Sequence, residues 1–353
     1  MNEFTSLTHQ VLWAFFAIAF VVGAISQKTH FCTMGAIADV VNMGDWTRAR
    51  QWILAVGLAM LGFAALSYSG QIDPSKTLYA SNKLLILSAP IGGLMFGYGM
   101  VIASGCGNKT LVRAGAGNLK SWVVLLVLSV SAFATLKGIT AVARVNWLDS
   151  VFIEQTQSVP TEAGFVLGAL LVLAVLRHKT FWTLENFVAG AGIGVLIVLA
   201  WWVSGHWGFV PEHPETLEPV FVATGSGRME ALSFVSPTAQ SLDWILFFSD
   251  KSKVLTVGIM SVLGVMVGSG VMAWHQKTFR IEGFADADDL AQHLLGAVLM
   301  GVGGVTAMGC TFGQGLSGIS TLSLNSALAF AAIVVGAVIS MRHQMARLER
   351  RLD

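Results

Sequence analysis

Three cysteines carry the chemistry this sequence has to offer. Cys32 lies in His30-Phe31-Cys32-Thr33-Met34-Gly35, Cys106 in Ser104-Gly105-Cys106-Gly107-Asn108-Lys109, and Cys310 in Met308-Gly309-Cys310-Thr311. They are too few and too far apart for a CxxC metal site or a disulfide framework. A free cysteine in an apolar helix usually serves as a small hydrophobe. These three all sit beside glycine or hydroxyl residues at expected helix breaks, and none lies in the plain apolar runs. That placement favours function over filling. A thiol is a weak donor and a soft contact. It can face an anionic sulfur without the desolvation cost of an ammonium, while peptide N–H groups at helix N-termini offset the anion's charge. Weak, spaced contacts also let an ion leave again. A string of thiols suits a sulfur-bearing anion better than sulfate, whose oxygens call for stronger donors.

The elements that position these cysteines follow from composition. The chain has 353 residues, 54% hydrophobic and 12% charged, with 38 glycines and a mean hydropathy of +0.69. Soluble domains carry about a quarter charged residues, so a water-soluble enzyme or a disordered scaffold is excluded. The net charge of +1 provides no field for a nucleic acid. The sequence reads as an all-α integral membrane protein, and nothing in it calls for a cofactor or a metal.

Charge-free intervals mark the spans. There are 24 residues between Glu3 and Lys28, 22 between Arg50 and Asp73, and 25 between Lys83 and Lys109. A fourth run follows Lys120 and passes Lys137. The fifth, Ala163–Leu176, is short against the roughly 17–25 residues a spanning helix needs, and Arg177 can snorkel to extend it. A sixth covers about 186–204 and a seventh 254–274, while Met229–Ser249 reads as a half-helix or an interfacial stretch. From Leu290 to Met341 run 52 residues without Asp, Glu, Lys or Arg. Two spans fit there with about a dozen residues to spare. The spare residues centre on 309–318, glycine-rich and polar, and predict a re-entrant loop of non-helical backbone buried in protein. About nine spans result. The first lacks a basic n-region and a cleavage site, so it is not read as a signal peptide.

Lys and Arg cluster at alternate ends: Arg48 and Arg50; Lys109, Arg113 and Lys120; Arg177 and Lys179; Lys277 and Arg280; and the tail from Arg342. The positive-inside rule puts these ends and the C-terminus in the cytoplasm, with the N-terminus periplasmic.

One internal repeat stands out. Gly92–Cys106 and Gly296–Cys310 are identical at seven of fifteen positions, including the closing Gly-Cys. The topology makes the two copies inverted, the architecture of transporters whose broken helices meet near the midplane. The chain is read as one transporter domain over 1–353: a first half at 1–145, a second at 163–341 and a basic tail at 342–353. Residues 93, 97, 301 and 304 form small-residue packing faces. Gly105, Gly107, Gly309 and Gly313 bracket the cysteines, where glycine permits unusual dihedrals and close approach to a ligand. A weaker echo, Gln27-Lys28-Thr29 against Gln276-Lys277-Thr278, is read as coincidence.

The motifs FCTMGAIADVVNMGD (31–45), ASGCGNKTL (103–111) and GVTAMGCTFGQGLSG (304–318) resemble the YeeE/YedE family, over about residues 24–338. The resemblance implies a helical fold of inverted halves with re-entrant segments and a hydrophilic waist. It implies uptake of thiosulfate or a related sulfur anion at a bacterial inner membrane, with Cys32, Cys106 and Cys310 contacting the anion in succession. The family also includes members linked to selenium metabolism and to sulfur oxidation, so the anion stays open. The acidic loop at 207–228 does not map onto the family.

Around the cysteines, Asn108, Thr311 and Gln314 join the candidate path, and Asn108 and Gln314 either donate to oxyanion oxygens or cap the breaks. Lys109 and Arg113 either attract an anion at the cytoplasmic mouth or serve as positive-inside residues. Lys137 is an ammonium in a span or at its far interface. His30 and His293 are proton relays or structural groups. Trp201, Trp202 and Trp207 read as an interfacial belt. A soluble cytoplasmic sulfurtransferase is a candidate acceptor. Two other readings stand beside the importer. A membrane thiol enzyme is disfavoured because no two cysteines are close in sequence, and a structural subunit or receptor would leave the cysteines dispensable.

Overall fold

The protein is described from a computed structural model covering residues 3–154, 160, 162–214, 216–250, 252–284 and 286–352. It is an all-α membrane protein. Helices α1 (Glu3–Thr29), α2 (Thr33–Met43), α3 (Thr47–Tyr68), α4 (Ser88–Ile102), α5 (Gly107–Gly115) and α6 (Leu119–Lys137) form its first part. After α7 (Ile139–Ala143) and α8 (Ala163–Leu176) come α9 (Leu184–Trp207), α10 (Val235–Leu246), α11 (Val257–His275), α12 (Ala287–Thr306), α13 (residues 311–320) and α14 (Leu324–Leu352). Two-residue strand pairs, β1 (Lys83–Leu84) with β2 (Ile153–Glu154) and β3 (Phe209–Val210) with β4 (Val220–Phe221), tie loops together. The second pair folds the 207–228 loop back on itself.

Among the described residues, seven helical stretches are long and apolar enough to cross a bilayer. The 14-residue α8 is shorter. At 1.5 Å per residue it reaches about 21 Å, less than a hydrocarbon core of about 30 Å. Val166, Leu170 and Leu173 on its outer side are exposed, as lipid-facing residues should be.

The chain ends separate into two faces. One holds the end of α1 and the turns after α5 and α11. It is cross-linked by Gln27 to Thr278, by Asn118 to Glu282 (2.7 Å) and by the Lys120–Asp289 ion pair (2.6 Å). This face carries the Lys and Arg clusters read from the sequence. On the opposite face, Asp243 of α10 binds Lys253 (2.7 Å) and Lys137 (3.3 Å), so Lys137 ends α6 in an ion-pair network at the interface.

Helices α4 and α12 cross antiparallel through glycine. A Cβ on Gly99 would stand 2.7 Å from the carbonyl oxygen of Gly296, and one on Gly296 would stand 2.7 Å from that of Gly99. Contact this close needs hydrogen in place of a side chain. The other glycines behave as the packing reading expects: Gly93 meets Ala329 and Gly97 meets Ile333 of α14, and Gly301 meets Leu128 of α6. The α4–α14 and α12–α6 packings are thus counterparts.

Two expectations change, and one open alternative is decided. Residues 309–318 are not an irregular loop: from Thr311 the backbone is helical, with a π-helical stretch over Gly313–Gly318. All six residues of that stretch are buried, and a helix satisfies its own peptide groups where no water can. Met229–Ser249 resolves into the half-helix α10, with its N-terminal residue Val235 fully buried and Ile245, Leu246 and Phe248 exposed at its far end. Trp201 is core, not interface. Its indole packs on Phe63 and Tyr79 and donates to Ser320 (3.1 Å), while Trp202 binds Gln71 and Trp207 is part-exposed.

Candidate functional site

Four short helices begin inside the protein, and each cysteine stands at or before such a start. Cys32 caps α2, accepting from the Gly35 N–H at 3.5 Å. Cys106 precedes α5, and Cys310 precedes α13, accepting from the Gly313 N–H at 3.5 Å. The turns leading in are alike. In α4, Ser104 donates to Val101 and Gly105 to Met100; in α12, Met308 donates to Val305 and Gly309 to Gly304. This is the two-bond Schellman ending, whose first residue past the cap is left-handed. That residue is Ser104 (φ 58°) or Met308 (φ 58°), and His30 (φ 53°) sits two residues before Cys32 in the same region.

The glycines therefore do not supply the unusual dihedral. Gly105, Gly107 and Gly309 are absent from the left-handed region, which falls one residue earlier at the two Schellman turns. Gly309 instead lets the Gln314 side chain close in: a Cβ there would stand 3.1 Å from Gln314 Cγ. At Gly105 the nearest atom would be Lys109 Cβ at 3.3 Å.

Sequence distance misled on the thiols' separation. The Cys32 and Cys106 thiols are electrostatic neighbours, and the Thr311 hydroxyl neighbours Cys106 as well. Thr311 is the residue after Cys310, so the third cysteine adjoins the first two. On its other side, the Cys310 sulfur is 4.0 Å from the Ser233 hydroxyl, at the entry to α10. All three cysteines are free and buried. The backbone N–H groups of Thr33 and Lys109 face the Cys106 sulfur, and those of Phe234, Phe312 and Gly313 face that of Cys310. Sulfur is thereby ringed by donors from several helix starts.

Buried polar atoms without a protein partner concentrate here. The Thr33 and Thr311 hydroxyls, the Asn108 Oδ1 and the Gln314 Oε1 have none. Each orphan costs about 1–3 kcal/mol, and four within four residues of a cysteine mark a place built to meet something polar. Gln314 is half engaged, its Nε2 donating to Ala307 at 2.6 Å, and Asn108 donates to Ser26 at 3.4 Å.

Aromatic rings close the centre. Phe312 meets Phe31, Trp52 and Phe234 edge-on, with centroids 6.0, 5.8 and 5.1 Å away, and Phe31 stacks on Trp52. A cavity opens on either side. That beyond Cys310 holds about 250 Å³ and is lined by Tyr79, Arg144, Glu230, Ser233, Gln314 and Ser326 among others. That beyond Cys106 holds about 220 Å³, with His30, Lys109, Arg113 and Arg280 in its wall. No cysteine lines either one. Lys109 thus belongs to the basic-face cavity rather than to the thiol column. In the first cavity, burial pushes the Tyr79 phenol up and keeps it a neutral donor. Burial likewise raises the Glu230 carboxyl, against a hydrogen bond from the Ser226 N–H.

His293 bonds to Asp289 (3.0 Å), which also holds Lys120. Sequence reasoning missed Ser233, Thr33, Tyr79 and the aromatic cluster. The one sequence signal was that Phe31 and Phe312 each lie within two residues of a cysteine.

Residues 28–186 and 176–339 each match the sulphur transport family. The chain belongs to this family, and it is a transporter. Two relatives are named thiosulfate transporter TsuA. That of Escherichia coli is 28% identical over 84% of this chain and 84% of its own length. That of Spirochaeta thermophila is 27% identical over 92% and 97%. A probable transporter YedE of Escherichia coli is 28% identical over 29% of this chain and 24% of its own. The YeeE/YedE resemblance read from the cysteine motifs is borne out.

Proposed function

We propose that this transporter imports thiosulfate, or a closely related reduced-sulfur oxyanion, across a bacterial inner membrane without covalent change. The observation that carries the reading is the convergence of Cys32, Cys106 and Cys310 at helix starts between two opposed cavities. Two relatives named for thiosulfate support the choice of anion.

The anion enters the 250 Å³ cavity, passes Cys310, then Cys106 and Cys32, and leaves beside Lys109. Each thiol offers one weak donor, and peptide N–H groups around the sulfurs offset the dianion's charge. Asn108, Thr311 and Gln314 turn their free polar atoms to the oxygens, and Gly105, Gly107 and Gly309 keep the walls close. The basic face is cytoplasmic by the positive-inside rule, so the C-terminus is inside and the N-terminus periplasmic. A soluble sulfurtransferase is the acceptor at that face, and residues 1–145 and 163–341 act as inverted halves, with the two family matches in support.

The test is uptake of labelled thiosulfate in cells lacking other sulfur importers, with selenosulfate, sulfite and sulfate as competitors. Selective inhibition by selenosulfate but not sulfate is expected. Equal inhibition by sulfate would overturn the assignment.

A further inference from the structure

The two family matches and the paired glycines of α4 and α12 suggest looking for positions that correspond across the pseudo-two-fold. Cys106 corresponds to Cys310 by the repeat itself, and with the same offset Lys109 corresponds to Gly313. The sulfur of Cys106 is faced by the N–H groups of Lys109 and Thr33, and the sulfur of Cys310 by those of Gly313 and Phe234. Thr33 opens the half-helix α2, and Phe234 stands at the entry to the half-helix α10. Thr33 and Phe234 are therefore matched by the sulfurs their N–H groups face, and so are the residues before them, Cys32 and Ser233, although Ser233 stands one residue further from its helix than Cys32 does. Their contacts agree: Cys32 faces Cys106, and Ser233 faces Cys310 at 4.0 Å.

We infer that Ser233 is the fourth station of the path and its specificity residue, the place where a hydroxyl stands in for a thiol. The inference rests on the reading of the cysteines as an anion path. Ser233 is half-buried and lines the 250 Å³ cavity, whereas Cys310 is fully buried behind it. An incoming anion meets the serine first. A hydroxyl makes a shorter, stronger hydrogen bond to oxygen than a thiol does, and a thiol is the softer contact for sulfur. Side by side, the two groups recognise an anion with a hard end and a soft end. Ser233 holds an oxygen while Cys310 meets the terminal sulfur. Sulfate lacks the soft end and hydrosulfide lacks the hard one, so the pair discriminates against both. Gln314 lines the same cavity and adjoins the pair without offering a hydroxyl.

The experiment is uptake of labelled thiosulfate by proteoliposomes holding the purified full-length protein, comparing wild type, Ser233→Ala, Ser233→Cys and Cys310→Ala. Removing one hydrogen bond to a charged group should cut Ser233→Ala uptake at least about tenfold. Ser233→Cys should recover much of it while moving competition towards selenosulfate and away from sulfite, which a packing role would not do. The inference is overturned if Ser233→Ala transports like wild type while Cys310→Ala is inactive. It is equally overturned if Ser233→Cys leaves the competitor ranking unchanged, a readout that stands even where the alanine variant fails to fold. Normal transport by Cys310→Ala would instead sink the thiol path itself.

Discussion

Gly92 and Gly303 meet backbone to backbone. A Cβ on either would stand 2.7 Å from the carbonyl oxygen of the other, repeating at one end of the α4–α12 crossing what Gly99 and Gly296 do at the other. The crossing brings the two Gly-Cys turns to the middle of the molecule, so packing and path share one geometry.

Overpacking this contact should therefore be felt. Gly92→Ala pushes a methyl into the backbone of Gly303 and Thr306, which cannot rotate away, and should destabilise by about 1–3 kcal/mol. Gly283→Ala, where a Cβ would meet nothing within 4 Å, is the control. Thermal melts in detergent compare them, and equal melting would refute the close crossing.

Cys106→Ala and Cys310→Ala should each abolish growth on thiosulfate as sole sulfur source while the protein still reaches the membrane. Serine at either position should lose less than aspartate, because a hydroxyl remains a donor and a carboxylate repels the anion. Growth of both alanine variants at wild-type rate would reduce the cysteines to packing residues.

Phe312 is wholly buried among Phe31, Trp52 and Phe234. Phe312→Ala should cost about 3–5 kcal/mol of stability and open a passage between the cavities. Sulfate flux into liposomes, negligible in the wild type, should then become measurable. A variant that stays tight to sulfate would show that these rings are not the barrier.

Burial holds the Glu230 carboxyl above the usual range, so its neutral form persists to higher pH than that of an exposed glutamate. Ionisation adds a negative charge to the entry cavity, and thiosulfate uptake should therefore fall as pH rises through that raised value. Glu230→Gln should flatten the profile. Uptake by vesicles between about pH 5 and 8 checks this, and superimposable profiles for the two proteins would remove Glu230 from the account.

Much of this architecture is legible in residue order. The charge-free runs marked the helices because a bilayer tolerates few charges, and the repeat ending at Cys106 and Cys310 betrayed the inverted crossing. What the sequence hid were matters of three dimensions. Residues 309–318 look irregular by composition, yet their glycines and serines fill a crowded interior within a helix, as where Gly318 abuts Ser326. The Cys32–Cys106 contact is invisible because distant segments make it. Ser233 carries no motif at all, since only the fold brings it beside Cys310.

The ring cluster around Phe312 has a bearing on the living membrane. A continuous water-filled pore would conduct protons and inorganic ions and run down the electrochemical gradient. On the proposed path the two cavities are kept apart by oily side chains, which interrupt any file of water between them. On the proposed path, charge crosses only inside a passenger that the thiols accept, and the resting protein should be electrically silent in a planar bilayer.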